Sequence, residues 1–134
     1  MDVNMRGCFT EYKFAVECLR RGFGVCMPLL HTSIFDMIVD TGSRLLKIQV
    51  KSTKKTPSKD SYNTIQVPIQ RRKFDGVHDK KYYDIDSVDY FAVFSYFFDG
   101  FFIFPNTGKM TGVRISLKGK YKKFFNNFDF DNFP

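Results

Sequence analysis

Histidine occurs only twice in these 134 residues, as His31 and His78, too far apart to suggest an imidazole-based metal centre. Cysteine is nearly as scarce. Cys8, Cys18 and Cys26 are odd in number and contain no C-x-x-C pair, so neither a zinc site nor a disulfide framework is indicated. They read as plain reduced thiols, mostly buried. No glycine-rich phosphate loop and no Ser-His-Asp arrangement is present. Nor is there an apolar run long enough to cross a bilayer: the longest, Tyr90 to Phe98, has the length of a strand and is broken by Ser95. The opening Met1-Asp2-Val3-Asn4-Met5-Arg6 lacks the apolar centre of a secretory signal, so a cytoplasmic protein without a membrane partner is expected.

What the chain does have is aromatic bulk and positive charge. Apolar residues make up 43% of it, with 17 Phe and 7 Tyr, which is ample to bury a core and excludes a disordered tail or linker. Lys and Arg total 21 against 14 Asp and Glu, a net charge of +7 and a pI near 9.4. Such a surface favours a polyanionic partner, because each neutralised phosphate releases condensed counterions. Charge alone does not separate a nucleic-acid binder from an incidentally basic protein. With no internal repeat and no Gly/Ser linker, residues 1–134 read as a single domain.

Helical spacing of Tyr12, Ala15, Val16 and Leu19 predicts a helix over 11–21, with Thr10 as its N-cap and Gly22 as its stop. Strands are expected at 23–27, 34–40 and 44–52, the last two forming a hairpin around Thr41-Gly42-Ser43. A Lys-rich loop over 54–63 leads to a possible strand at 64–69 and a charged, irregular stretch over 70–84. Residues 89–98 and 101–104 flank Asp99-Gly100, a hairpin turn signal, and 120–128 could form a short helix with a Phe face. A helix followed by strands and mixed elements predicts an α/β fold, with a central mixed β-sheet flanked by helices.

Strand periodicity singles out one constellation. Leu46, Ile48 and Val50 share one face of their strand, and Lys47, Gln49 and Lys51 share the other. In the preceding strand Asp36 stands inside an apolar run, where a carboxylate is costly unless paired or bound to a metal. Hairpin pairing would let Asp36 face Gln49 and Lys51, bringing together a carboxylate, an amide oxygen and an ammonium group. Oxygen donors are what Mg²⁺ prefers. A buried Asp36–Lys51 ion pair with no catalytic role fits the same residues equally well.

These segments, Gly7-Cys8-Phe9-Thr10-Glu11, Ile34-Phe35-Asp36-Met37-Ile38 and Ile48-Gln49-Val50-Lys51-Ser52, resemble the PD-(D/E)xK nuclease superfamily. Its members carry a Glu on a helix, an Asp on the next hairpin and a (D/E)-x-K strand end. Asp89-Tyr90-Phe91-Ala92-Val93 and Phe102-Ile103-Phe104-Pro105 are similar to the later strands of small members, and the nearest branch contains the group I intron homing endonucleases. The chain departs from the pattern twice. Phe35 replaces the Pro, which does no chemistry, and Gln49 replaces the acid, keeping an oxygen but no charge; this branch is known to use Gln there.

The resemblance implies a Mg²⁺-dependent endonuclease, with Mn²⁺ able to substitute, that hydrolyses phosphodiester bonds in double-stranded DNA. Glu11, Asp36, Gln49 and Lys51 would be catalytic. Glu11, Asp36, Gln49 and the Val50 carbonyl would hold the metal, and Lys51 would position a water and stabilise transition-state charge.

Around this centre, Ser52, Thr53, Lys54, Lys55 and Lys59 are candidates to grip the DNA backbone. Gln66, Gln70, Arg71, Arg72 and Lys73 suit bidentate contacts to base edges. The later Lys118, Lys120, Lys122 and Lys123 read as solvent-exposed surface. Phe94, Tyr96, Phe97, Phe98, Phe101, Phe102 and Phe104 are too many for one hairpin face, so some are expected at a subunit interface. Cutting both strands needs two sites, which implies a homo-oligomer, dimer or tetramer. Three rival readings remain: a Holliday junction resolvase, a non-catalytic DNA-binding protein of the same fold, and an interaction protein whose charge is incidental.

Overall fold

The computed structural model describes residues 1–30, 32–70 and 82–132. Helix α1 spans Val3–Arg20 and starts well ahead of Glu11. Its cap is Asp2, whose carboxylate accepts from the Met5 N–H at 2.8 Å and satisfies one of the donors that every helix start leaves open. Thr10, the expected cap, is instead buried inside the helix, where its hydroxyl donates to the Arg6 carbonyl at 2.8 Å. At the other end Gly22, at φ +83°, takes the left-handed conformation. There the N–H groups of Gly22 and Phe23 close onto the Leu19 and Cys18 carbonyls.

Seven strands follow: β1 Gly24–Cys26, β2 Met37–Asp40, β3 Leu45–Thr53, β4 Ile65–Pro68, β5 Tyr90–Ser95, β6 Gly100–Pro105 and β7 Gly112–Ile115. Five make a mixed sheet in the order β1-β2-β3-β5-β6, and β4 pairs with β7 in a small second sheet. All neighbours run antiparallel except β3 and β5, which pair in parallel from Ile48↔Tyr90 to Thr53↔Ser95. A parallel pair needs a long crossover; here it is the segment that carries β4.

The large sheet is covered on both faces. Phe14 and Cys18 of α1 pack with Met37, Leu46, Ile48 and Phe101, and the tail residues Phe128 and Phe130 close the same cluster. On the other face Ile65, Val67 and Ile115 of the small sheet pack against Phe91, Val93 and Phe102. Central β5 is therefore buried along its whole length, as strands covered on both faces are. Of the aromatics too many for one hairpin face, Phe94, Phe101, Phe102 and Phe104 are buried within the chain, Tyr96 and Phe98 are partly buried and Phe97 is exposed.

Three local expectations also change. Gly100 is the first residue of β6 and has no unusual φ; a Cβ there would meet the Phe125 ring at 2.5 Å, so close packing requires the glycine. Asp99 supplies the positive φ of the turn. The 120–128 segment is a 3-10 turn over Gly119–Phe124 rather than a longer helix. Of the thiols, Cys18 alone is buried, and burial pushes it up to about 12; Cys8 and Cys26 are exposed.

Candidate active site

The β2–β3 hairpin is staggered. Its last ladder pair is Met37↔Ile48, so β3 continues through Gln49–Thr53 with β5 on one side and no β2 partner on the other. Val50 would lose its ladder bond there. Asp36, the residue just before β2, supplies it: Asp36 Oδ2 accepts from the Val50 N–H at 2.7 Å, while the Asp36 N–H donates to the Ile48 carbonyl at 2.8 Å. The N–H and C=O of one strand residue point to the same side. The Val50 carbonyl therefore opens onto this edge, beside the Asp36 carboxylate.

Helix α1 brings Glu11 to the same edge. Glu11 lies against Asp36, and burial, then the Asp36 charge and carboxyl, push Glu11 up to about 7. Asp36 is also raised by its burial, against the opposing pull of the Val50 N–H, Glu11 and the Lys51 charge. Two partly buried carboxyls in contact strongly disfavour holding two negative charges. The Lys51 ammonium lies 5.5 Å from the centroid of the buried Tyr83 ring, a cation–π contact, close enough for its charge to act on Asp36.

Alternation along β3 is as expected. Leu46, Ile48 and Val50 are buried toward α1, while Lys47, Gln49 and Lys51 are half-buried on the other face. One expectation changes: Asp36 is not inside a strand facing Gln49. It sits at the open edge, where it reaches Glu11 on the helix side and interacts with Lys51 on the other. Glu11, Asp36, the Val50 backbone and Lys51 are thus brought together, and Gln49 is held next to Val50 by the strand. Among the described residues no three His, Cys, Asp or Glu side chains cluster as metal ligands. The donors here are two carboxyls plus amide and backbone oxygens, a set that suits a hard cation. A cleft of about 310 Å³ opens at Glu11 and Asp36, walled by Tyr12, Leu29, Leu30 and Phe35.

A larger groove, about 770 Å³, lies away from the carboxyls over the small sheet and includes Lys55, Gln66, Gln70, Arg114 and Lys120. Three of these were expected to bind DNA. Lys55 Nζ donates to the Gln66 carbonyl at 3.2 Å, and the pair Gln66↔Arg114 joins β4 to β7. Arg114 is itself held, donating to the Ser61 carbonyl and Thr64 Oγ1 at 3.2 Å each. Ser52 and the buried Thr53 end β3, with Thr53 Oγ1 accepting from the Lys55 N–H. Exposed Lys54 lies over Tyr96, and Lys59 is exposed at the head of a 3-10 turn. Arg71, Arg72 and Lys73, like His31 and His78, lie outside the described residues. Lys120, expected to be solvent-exposed surface, is exposed, and Arg114 was not singled out. The alternation of Val113 and Ile115 around Arg114 was the signal available, in a strand too short to stand out.

Comparison with known proteins agrees with this architecture. A family model described as PD-(D/E)XK endonuclease matches residues 1–129. Among solved structures, that of the bacterial homing endonuclease I-Ssp6803I aligns with a TM-score of 0.72 over 93% of this chain and 89% of that one. The two are 20% identical, so the likeness is one of fold. No curated protein sequence matches the chain.

Proposed function

We propose that this chain, which belongs to the PD-(D/E)XK endonuclease family, is a single-domain, divalent-metal-dependent and site-specific endonuclease of double-stranded DNA, acting as a homing enzyme. The observation that carries the reading is the pairing of Glu11 with Asp36 at the open edge of β3, beside the Val50 carbonyl and Lys51. Two carboxyls held close together with raised pKa values fit a dication, whose charge would relieve the repulsion between them. Glu11, Asp36, Gln49 and the Val50 carbonyl are the proposed ligands, and Mg²⁺, or Mn²⁺ in its place, suits their oxygens. The chemistry such an ion supplies is polarisation of a phosphoryl oxygen and acidification of an attacking water.

The chain's own part follows from its contacts. Asp36 is aimed by the Val50 N–H, which fixes one carboxylate oxygen. Lys51 keeps a positive charge beside the site, where it orients the water and stabilises charge developing on the phosphate. Gln49 contributes an oxygen without charge, so the site carries one negative charge fewer than an acidic residue would give. Lys54, Lys55, Lys59, Arg114 and Lys120 provide exposed or partly exposed cations for the phosphodiester backbone, together with Ser52 and Thr53, while Gln66, Gln70, Arg71, Arg72 and Lys73 are the proposed base readers. Cutting both strands calls for two sites, hence a symmetric dimer or tetramer.

The test is cleavage of plasmid DNA carrying a randomised insert, and of a four-way junction, with Mg²⁺ and with Mg²⁺ plus chelator. Discrete duplex fragments that vanish with chelator, with Asp36→Ala and with Lys51→Ala support the proposal. Junction-only cutting would make the protein a resolvase. Retention of both DNAs without cutting would make it a binding protein of the same fold.

A further inference from the structure

The cleft that holds Glu11 and Asp36 has one wall that the proposed chemistry leaves unused. The segment between β1 and β2 supplies Met27, Leu29, Leu30 and Phe35 to it, and α1 adds Tyr12. Most of these side chains stand in solvent: Leu29 is 102% exposed, Leu30 70%, Tyr12 59% and Met27 41%. Phe35, which occupies the place of the Pro in the family pattern, is half-buried and adds a ring to the same wall. Among the described residues lining the cleft there is no Lys or Arg, in a chain that carries 21. The groove over the small sheet, by contrast, includes Lys55, Arg114 and Lys120.

Several exposed apolar side chains together mark a contact surface, and the place of this wall decides what it contacts. It shares one cleft with the two carboxyls, so whatever reaches them lies against it. On the reading above, that is the scissile phosphate of a DNA strand. A cleft of about 310 Å³ is at the small end of ligand sites and takes a short piece of one strand, not the width of a duplex. Leucine cannot satisfy a phosphate oxygen and would strip water from it at a cost. The parts of a nucleotide that suit it are the deoxyribose and the base edges. We infer that the Leu29–Leu30 wall packs against the sugars and base edges flanking the scissile phosphate, and so positions that phosphate at the carboxyls, with Lys51 on the far side. Two features restrain the wall. Pro28 has a fixed φ, and the Ser33 N–H donates to the Leu30 carbonyl at 3.2 Å, which reduces the ordering that binding must impose.

The inference rests on the proposed endonuclease activity, and its test separates the two. The probe is the plasmid fragment that the wild type cuts. The double variant Leu29→Ala, Leu30→Ala is expected to bind it roughly tenfold more weakly. The slope of log affinity against log salt should not change, because an apolar contact releases no counterions. Half-saturation by Mg²⁺ should also stay the same, and Leu29→Met, Leu30→Met should keep wild-type affinity. Both leucines are exposed, so circular dichroism and Tm should match the wild type. In an Asp36→Asn background, which blocks cutting, hydroxyl-radical footprinting reads the sugars directly. Those next to the cut should be protected with the leucines and bare with the alanines, while the rest of the footprint persists. Wild-type affinity and an unchanged footprint in the alanine variant would overturn the inference and leave the endonuclease standing. A lower salt slope would assign the wall to phosphate, and a halved sedimentation mass would assign it to a subunit contact; either result overturns it. A wild type that cuts no DNA removes the reading and the inference together.

Discussion

The carboxyl cleft beside α1 and the basic groove over the small sheet are built on different principles. The cleft concentrates its function in a few partly buried groups whose charges are mutually unfavourable: Glu11 is driven up to about 7 and Asp36 is raised with it. The groove spreads like charge over exposed or half-exposed side chains, each anchored by one or two neutral contacts. Buried charge is worth several times as much as exposed charge, because water screens it less. Single substitutions should therefore act steeply in the cleft and by small increments in the groove.

The steepest expected effect is at Asp36. Asp36→Asn keeps an oxygen to accept from Val50 N–H, so the fold and the β3 edge stay intact, but it removes charge from the cation site. Cleavage should fall by a factor on the order of 10³, the rise in Tm on adding Mg²⁺ should disappear, and DNA retention should be unchanged. Retained cleavage in Asp36→Asn would erase the distinction between the two regions. Gln49→Glu tests the opposite direction: with an added charge, half-saturation by Mg²⁺ should move to roughly tenfold lower concentration, about 1.4 kcal/mol. An unchanged Mg²⁺ dependence would take Gln49 out of the ligand set.

In the groove the expectation is gradual. Arg114→Ala or Lys120→Ala should weaken DNA binding severalfold and lower the slope of log affinity against log salt by about one each. Cleavage at saturating protein should hardly change. A substitution in the groove that stops cutting while DNA stays bound would mean that the groove holds part of the chemistry.

The same contrast explains what the sequence disclosed. The cleft was legible because its signals are local and periodic. Asp36 interrupts an apolar run, and the alternation of Leu46, Ile48 and Val50 with Lys47, Gln49 and Lys51 fixes the faces of β3 in advance. What periodicity could not convey was the stagger of the hairpin, which moves Asp36 from inside a strand to the open edge beside Val50. Helix α1 was half legible. Thr10 has the chemistry of a cap, but it lies mid-helix with its hydroxyl on the Arg6 carbonyl, and Asp2 does the capping. The groove was less legible because it depends on pairing between β4 and β7, about fifty residues apart. Gln66 and Lys55 could be suspected from composition, whereas Arg114 gains its meaning only from the register that sets it opposite Gln66.

The smallest effect expected is thermodynamic, and its sign is opposite to that of most carboxylates. A carboxyl held by cations has a depressed pKa and loses stability as pH falls; Glu11 is raised from 4.5 to about 7. The folded chain therefore binds this proton more tightly than the unfolded chain does. Stability from the Glu11 proton is fully present below about 4.5 and is lost as pH rises through about 7. Asp36, also raised, acts in the same direction. With chelator present, Tm should thus climb by a few degrees as pH is lowered from about 8 to about 5, the window that the Glu11 shift opens. Glu11→Gln should flatten that slope and raise Tm at the alkaline end. Saturating Mg²⁺ should flatten it as well, because a dication takes the place of the Glu11 proton. If wild type and Glu11→Gln lose stability in parallel as pH falls, the two carboxyls are not in conflict, and the cleft has no more need of a cation than the groove.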